Sequence, residues 1–172
     1  MRILHVSTRL ILGGSQENTL LSCEGQARLG HEVHLAFGPI YGPEGSLLER
    51  AAAFRTADNR PITTHVVASL VREINPIKDC RARGELFDLI ARTKPDIVHT
   101  HSSKAGILGR AAAWKALARG HPCGVVHTIH GPPFMPIEGS PVARAKTRLL
   151  NHAYTLAERY AARRCHLIVS VA

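Results

Sequence analysis

The sequence alternates short apolar runs with longer amphipathic stretches, and this alternation constrains its fold most strongly. Arg2–Val6 is short and rich in apolar residues, as is typical of a buried strand. Ser15–Leu29 has the pattern of a helix, and His31–Ala36 that of a second strand. A strand, a helix and a second strand form the unit from which parallel sheets are built. The opening therefore predicts a parallel sheet covered by helices.

Capping residues predict where the first helix begins and ends. Ser15 is expected to cap its start by accepting a hydrogen bond from a first-turn N–H, and Glu17 suits the positive end of the helix dipole. Gly30 supplies the left-handed residue that commonly ends a helix. The face formed by Leu20, Cys23 and Ala27 is predicted to pack inward.

The same alternation continues along the chain. Four further strands are predicted at Thr64–Ala68, Asp96–Thr100, Gly124–Ile129 and Leu167–Val171. The helices expected between them are Leu47–Phe54, Asp79–Thr93, Lys104–Arg119 and Pro141–Arg164. These elements predict an α/β domain with a Rossmann-like, doubly wound parallel sheet of about six strands. Right-handed crossovers place every strand-to-helix loop at one edge of such a sheet, so function is expected there.

Gly13 and Gly14 follow the first strand, where backbone N–H groups can approach an oxygen-rich ligand at the positive end of a helix. A nicotinamide site would require G-x-G-x-x-G here and an acidic residue after the second strand, where the chain has Phe37 and Gly38. A Walker P-loop is also disfavoured, since no Gly-Lys-Ser/Thr follows. A simple tight turn remains the alternative interpretation.

Length and charge limit the classes of protein. With 172 residues, 45% of them hydrophobic, the chain suits one domain with one good core. A net charge of +9 indicates an acidic partner: nucleic acid, an anionic membrane surface or a phosphorylated small molecule. Nucleic acid is the weakest of these, because aromatic residues are only 5% and no basic stretch is interleaved with them.

The cysteines and the N-terminus bear on the compartment. The four cysteines are widely scattered without a C-x-x-C pair, which indicates neither zinc nor disulfides and predicts reduced, mostly buried thiols. No stretch has the apolar length of a membrane helix, and the N-terminus lacks a signal-peptide pattern. A cytoplasmic protein is therefore expected.

Histidines are concentrated near the ends of the fourth and fifth strands. His99 and His127 lie inside strands and are interpreted as hydrogen-bonded core histidines, whereas His101 and His130 lie at strand ends and are candidates for function. A metal site built from these four would lack a carboxylate, so no metal is predicted. For Lys104, contact with a phosphate and a solvated helix start remain equal alternatives.

Two segments carry a family resemblance. Pro95–Arg110, PDIVHTHSSKAGILGR, and His127–Gly131, HTIHG, resemble the N-terminal domain of GT-B glycosyltransferases of family 4. The resemblance covers essentially the whole chain. It is nearest to members that build capsular, exopolysaccharide or lipid-linked oligosaccharide chains, and the stretch Val71–Pro76 with Lys78 and Asp79 suits that branch.

The resemblance implies an activity and a set of site residues. Such enzymes transfer a sugar with retention from a UDP- or GDP-linked donor, used as substrate without a further cofactor, and this half mainly holds the acceptor. His130 matches the position at which a histidine contacts the transferring sugar or acceptor and is the candidate catalytic residue. The expected residues for binding the donor diphosphate and substrate are Gly13, Gly14, His101, Ser102, Ser103, Lys104 and Gly131.

The resemblance also implies a second domain and a lipid-linked or saccharide acceptor. Residues 1–172 are expected to be an N-terminal domain truncated before a nucleotide-sugar-binding domain, because the chain stops at Val171-Ala172 without a covering helix. Two alternatives stay open: a non-catalytic module that binds a nucleotide or anion, and, with less support, a nicotinamide oxidoreductase.

The helix predicted at residues 141–164 has a basic side opposite an apolar side. The basic side holds Arg144, Arg148, Arg159 and Arg163; the apolar side, expected to pack inward, holds Val142, Ala145, Leu149, Ala153, Leu156 and Tyr160. Docking of the basic side on anionic lipid, at the inner face of the cell membrane, is one interpretation. A solvated charged face is the other.

Overall fold

The computed structural model describes residues 1–131 and 137–171 and consists of a six-stranded parallel sheet flanked by helices. The strands are β1 Arg2–Ser7, β2 Glu32–Phe37, β3 Ile62–Val66, β4 Ile97–His101, β5 Gly124–Ile129 and β6 Leu167–Ser170. The helices are α1 Gly14–Arg28, α2 Leu48–Ala53, α3 Pro76–Thr93, α4 Ser103–Ala118 and α5 Pro141–Ala162. The predicted Rossmann-like α/β fold is confirmed.

The strand order is β3-β2-β1-β4-β5-β6, so the chain winds outward in both directions from the centre of the sheet. The direction reverses between β1 and β4, which pair in parallel with His5 opposite His99. In doubly wound sheets, a crevice opens beyond the carboxyl ends of the strands at this reversal. The topology therefore indicates where a ligand site lies.

The core lies on both faces of the sheet. Leu4 and Val6 of β1 pack with the inner residues of α3 and α4 on one face. Val33 and Leu35 of β2 pack with α1 and α2 on the other. Alternation along β2 supplies both clusters, since Ala36 lies with the first, and helices cover both faces. The inward face predicted for α1 is confirmed, since Leu20, Cys23 and Ala27 are all buried. The buried face of α3 holds Ala82, Leu86, Leu89 and Ile90.

The predicted end of α1 is confirmed, but its predicted cap is wrong. Gly30 has a φ of 92°, the left-handed conformation expected after the helix. The N-cap residue is Gly13, which has no side chain, and Ser15 lies inside the first turn. The Ser15 hydroxyl donates to Oε1 of Gln16 at 2.8 Å. The first N–H groups of α1 therefore lack a side-chain cap.

Two other elements begin two or more residues earlier than predicted. β3 lies two residues earlier than the predicted Thr64–Ala68, because pairing with β2 begins at Ile62 and the chain turns where the Leu70 N–H donates to the Val67 carbonyl. Helix α3 begins three residues before the predicted Asp79. Asn75 caps it by accepting from the Lys78 N–H at 3.0 Å, and Pro76 fits the first turn because it needs no donor there.

Helix α4 packs closely on the sheet through two glycines, Gly106 and Gly109. A Cβ added to Gly106 would lie 2.5 Å from Cε1 of His127. One added to Gly109 would lie 2.7 Å from Cγ2 of Thr100 and 3.7 Å from Cγ1 of Val6. Small residues here let the helix backbone approach the central strands.

Helix α5 packs on α4, but not through the side that the sequence predicts. Of the described α5 residues, only Ala161 is fully buried, whereas Val142, Leu149, Leu156 and Tyr160 are exposed. Ala145 and Ala153 are exposed as well. The prediction that these six side chains pack inward is wrong, because α5 faces α4 along another line that includes Leu150, Tyr154 and Ala157.

The thiols and the chain end also differ in part from prediction. Cys23 and Cys123 are buried, Cys165 is partly buried and Cys80 is exposed, so the prediction of mostly buried thiols holds for two of the four.

Strand β6 ends at Ser170, its four residues are exposed, and Ala172 lies outside the described residues. No helix of residues 1–131 and 137–171 is long and apolar enough to cross a membrane.

The close approach of α4 predicts opposite effects for two glycine-to-alanine changes in helices. Gly109→Ala should lower the free energy of unfolding by about 1–3 kcal/mol, because its methyl group overlaps Thr100. Gly84→Ala in α3, whose methyl group would meet no described atom within 4 Å, should raise it by about 0.5–1 kcal/mol. Urea denaturation of both variants measures these changes, and equal effects would contradict the packing described.

Candidate functional site

A cavity of about 510 Å³ lies at the carboxyl edge of the sheet, between the ends of β4 and β5 and the side of α5. Four of the predicted site residues line it: Ser102, Ser103, His130 and Gly131. Ser15, which follows the predicted glycine pair, lines it too, so the start of α1 borders the cavity. Residues 132–136, which follow Gly131 in the sequence, lie outside the described part of the chain.

Ser102 joins β4 to α4 in a strained conformation. Its φ of 60° and ψ of 162° fall in a region used almost only by glycine, which costs on the order of 1–3 kcal/mol. Its hydroxyl shares a hydrogen bond of 3.0 Å with the Thr8 hydroxyl, which also accepts from the Ala105 N–H at 3.2 Å. Thr8, from the loop after β1, therefore holds the start of α4 and fixes Ser102 at the rim of the cavity.

Two of the helices that begin at this edge, α1 and α4, have no side-chain cap at their N-cap residues, Gly13 and Ser102. The N-cap residues Asn75 and Ser140 of α3 and α5, in contrast, accept from backbone N–H groups through their side chains. First-turn N–H groups of a helix carry partial positive charge and bind anions. A Cβ on Gly14 would meet no described atom within 4 Å, so packing does not require glycine there.

His101 and His130, the two histidines predicted for function, lie in contact. The ring of His101 is buried, and its Nδ1 lies 3.0 Å from Nε2 of His130, which borders the cavity. Burial lowers the pKa of His130 and lowers that of His101 well below its usual value. Both rings are therefore neutral at pH 7, and a neutral imidazole has one nitrogen that donates and one that accepts.

His99 and His127 are hydrogen-bonded within the sheet, as predicted. Nε2 of His99 lies 2.7 Å from the Thr128 hydroxyl, and Nδ1 of His127 lies 3.0 Å from the Thr100 hydroxyl. Burial lowers the pKa of His99 to about 3 and that of His127 to about 4, and the Arg110 guanidinium adds to the lowering at His127. The ring of His127 also forms part of the cavity wall.

The structure does not bring Lys104 to the cavity. Its Nζ lies 2.7 Å from Oδ1 of Asp79 and also donates to the Glu73 carbonyl. It lines a separate groove with Ile107 and Leu108 of α4. An ammonium held by this carboxylate anchors the start of α3 to α4. Lys104 is therefore not a solvated side chain, whereas its contact with a phosphate stays a prediction.

Sequence reasoning missed a buried ion pair in the cavity wall. Arg110 of α4 has 1% of its side chain exposed, and its Nη2 lies 2.6 Å from Oε2 of Glu158 on α5. Its Nε donates to the Gly106 carbonyl at 2.8 Å. A guanidinium buried in this way needs its carboxylate partner. No local signal could have shown this contact, since the partners are 48 residues apart.

His5 and Gln26, beneath the cavity, were also missed. His5 is fully buried, and its ring bonds His101 on one side and Gln26 on the other. The rings of His5, His99 and His101 have nitrogens within 4.8 Å of one another, close enough to share a metal ion. Both ring nitrogens of His5 and of His101 are already hydrogen-bonded, however. The expectation that no metal is bound stays a prediction.

The strand order defines a Rossmann-like domain, and its cavity at the carboxyl edge is lined by the loops after β4 and β5, by α5 and by Ser15 at the start of α1. The model of Glycosyltransferase Family 4 matches residues 12–172, and the chain belongs to this family. The resemblance stated from the two sequence segments is therefore confirmed.

A curated relative is similar over part of the chain. It is the UDP-Gal:alpha-D-GlcNAc-diphosphoundecaprenol alpha-1,3-galactosyltransferase of Escherichia coli, 55% identical over 65 residues. These residues are 38% of this chain and 16% of the relative.

Solved structures share the fold at low identity. MurG of Acinetobacter baumannii has a TM-score of 0.59 and 13% identity, and the match covers 98% of this chain and 41% of MurG. Sucrose-phosphate synthase of Thermosynechococcus elongatus has a TM-score of 0.52 and 16% identity, with 99% of this chain covering 47% of that one. A Listeria monocytogenes protein described as a UDP-N-acetylglucosamine 2-epimerase has a TM-score of 0.61 and 11% identity over 98% of this chain and 39% of its own. The chain thus spans less than half of each structure, and the second domain expected from the sequence stays a prediction.

The buried histidines predict a loss of stability in mild acid. The unfolded chain protonates these rings near pH 6.5, whereas burial lowers the pKa of His5 to about 4 and that of His99 to about 3. Between these pKa values the unfolded state therefore binds more protons than the folded state. These rings leave the free energy of unfolding unchanged above about pH 6.5 and lower it as the pH drops toward 4. His5 alone should contribute a loss on the order of 3 kcal/mol.

Urea denaturation across this range measures the effect. His99→Gln keeps a hydrogen-bonding side chain but cannot titrate, so its stability should depend less on pH than that of the unmodified protein. A stability that stays constant from about pH 7.5 to 4.5 would contradict neutral, buried histidines.

Proposed function

We propose that this chain is the acceptor-side half of a glycosyltransferase, which transfers a sugar with retention from a nucleotide sugar to a lipid-linked or other saccharide acceptor. One observation carries the proposal: a single cavity gathers the rim histidine His130, the hydroxyls of Ser102 and Ser103, and the start of α1. These groups suit a sugar and an anionic group side by side. Membership of glycosyltransferase family 4 supports the reaction class.

In this proposal, the donor diphosphate lies against Gly13 and Gly14 at the start of α1. The N–H groups of the first turn are not satisfied by a side-chain cap, and the helix dipole favours negative charge there. Glycine leaves the backbone open to close approach, and the fold itself does not need it at position 14. A nucleotide sugar, UDP- or GDP-linked, is the substrate that supplies such a diphosphate.

His130 contacts the transferring sugar or the acceptor in this proposal. Its pKa is lowered by burial, so the ring is neutral and suits a hydroxyl group better than a phosphate. The rim hydroxyls of Ser102 and Ser103 add short, uncharged partners for sugar hydroxyls. The printed name of the E. coli relative, which includes UDP-Gal and a diphosphoundecaprenol-linked sugar, supports a lipid-linked acceptor.

Helix α5 is the proposed contact with the membrane that would hold such an acceptor. Val142, Leu149 and Leu156 recur every seven residues and are exposed, as is Tyr160. Arg148 and Arg159, also exposed, lie beside this apolar stripe at helical spacing. Apolar residues flanked by basic ones are typical of helices that lie in the surface of an anionic bilayer.

Replacing His130 tests the proposed reaction in the full-length protein. His130→Ala should lower the rate of sugar transfer by about 100-fold or more, the usual contribution of a positioned polar group in a transition state, with little loss of stability. His121→Ala, a half-buried histidine at the opposite edge of the sheet, is the matched control and should keep full activity. Product formation and thermal midpoints are measured for both; equal losses of rate and stability in His130→Ala would mark it as structural.

Liposome sedimentation tests the membrane contact. Binding should require anionic lipid and weaken with salt, because each basic residue near the surface contributes about 1 kcal/mol. Leu149→Asp should reduce binding, whereas Leu29→Asp should not, although the two leucines are 72% and 77% exposed. Binding that ignores lipid charge and salt, or that Leu149→Asp leaves unchanged, would contradict the proposal.

A further inference from the structure

A continuous line of hydrogen bonds runs from the core to the cavity through three histidines. Oε1 of Gln26 on α1 lies 2.7 Å from Nε2 of His5 on β1. Nδ1 of His5 lies 2.9 Å from Nε2 of His101 on β4, and Nδ1 of His101 lies 3.0 Å from Nε2 of His130 after β5. Each ring therefore uses one nitrogen toward the core and the other toward the cavity. We call these four residues the histidine relay.

The proton count along the relay is fixed because its rings are neutral. Burial lowers the pKa of His5 to about 4 and lowers those of His101 and His130. Each ring then carries one N–H and one bare nitrogen. Three N–H groups are available for three hydrogen bonds, so the relay is complete only if every ring donates in the same direction.

Gln26 sets that direction. Its carbonyl oxygen faces His5, and an oxygen can only accept, so Nε2 of His5 must donate. Nδ1 of His5 is then bare and accepts from Nε2–H of His101. By the same step, Nδ1 of His101 accepts from Nε2–H of His130. Nδ1 of His130 is consequently bare, and it is the ring nitrogen left for a ligand in the cavity.

We propose that Gln26, His5 and His101 are positioning residues that hold His130 in its Nε2–H tautomer, so that its Nδ1 accepts a hydrogen bond from a substrate hydroxyl. This rests on the proposed function, which supplies a sugar hydroxyl at the cavity. The opposite tautomer would present an N–H donor and suit a phosphate or carbonyl oxygen instead. The relay thus makes the site select a group that donates, which every sugar hydroxyl can do.

The relay accounts for the buried histidines better than a metal ion does. An ion shared by His5, His99 and His101 would take nitrogens that now bond Gln26, His101 or His130. Forming it would break at least one link of the relay and leave a buried polar atom unsatisfied. A zinc titration distinguishes the two arrangements.

Histidine tautomers are read directly by long-range proton–nitrogen NMR of the full-length protein labelled with ¹⁵N-histidine. At about pH 7.5, well above the lowered pKa values, we expect His5, His101 and His130 each to be protonated at Nε2 and bare at Nδ1. An Nδ1–H tautomer of His130 without substrate would overturn the proposal. A joint shift of the His5, His99 and His101 nitrogens on adding zinc would show a metal site in its place.

Gln26→Met tests the consequence for transfer, since methionine has a similar length and cannot accept the His5 hydrogen bond. His130 should then populate both tautomers, and kcat/KM should fall roughly five- to tenfold, the effect of about one lost hydrogen bond. The matched control is His34→Gln, which breaks a similar histidine pair on β2, with Nδ1 of His34 2.8 Å from Nε2 of His65. Its kcat/KM should stay within about twofold of the unmodified protein.

The two arms separate failure of the relay from failure of the proposed function. If Gln26→Met has the same kcat/KM as the unmodified protein, or if His130 keeps a single tautomer in that variant, the relay is overturned. The proposed sugar transfer is then unaffected. A full-length protein that transfers no sugar would overturn the proposed function, and the NMR spectrum would still decide the tautomer of His130.

Discussion

The pairing of β1 with β4 is the contact on which the rest of the structure depends. The strand order reverses between these two strands, so the loops that follow them diverge and leave a crevice. Their register places His5 opposite His99 and Val6 opposite Thr100. The same pairing therefore builds the centre of the core and brings the start of α1 and the loop after β4 to one cavity.

Close packing of α4 against this pair adds the second constraint. Gly109 lets the helix approach Thr100 and Val6, and Gly106 lets it approach His127. The approach fixes the start of α4 beside Thr8, whose hydroxyl bonds both Ser102 and the Ala105 N–H. The strained backbone of Ser102 is held by these contacts, as is usual for strain at functional sites.

Most elements of the fold follow from local pattern, because strands and helices have different periods and their ends carry turn residues. The β3 boundary was shifted since pairing with β2, and not the apolar run alone, decides where it begins. The early start of α3 had a local signal, Asn75 before Pro76, that was not used. The loops after β4 and β5 were predicted to carry the site, and His130, Ser102, Ser103 and Gly131 do meet at one cavity.

Other parts of the site could not be predicted, because they depend on contacts between residues that are distant in the sequence. Gln26 and His5, and Arg110 and Glu158, are joined by contacts between distant segments that no spacing in the sequence reveals. For α5, the sequence pattern showed which side of the helix is apolar. It did not show whether another element covers that side, so the exposed apolar residues were wrongly predicted to lie in the core. These polar contacts join side chains that lie on different strands and helices.

Mass spectrometry of products tests the central claim most directly. The full-length protein is incubated with UDP- and GDP-sugars and a diphosphate-linked polyprenyl saccharide, and the acceptor is weighed before and after. We expect an acceptor heavier by one sugar, and NMR of that product should show the anomeric configuration of the donor. An acceptor whose mass is unchanged with every donor would contradict the proposal.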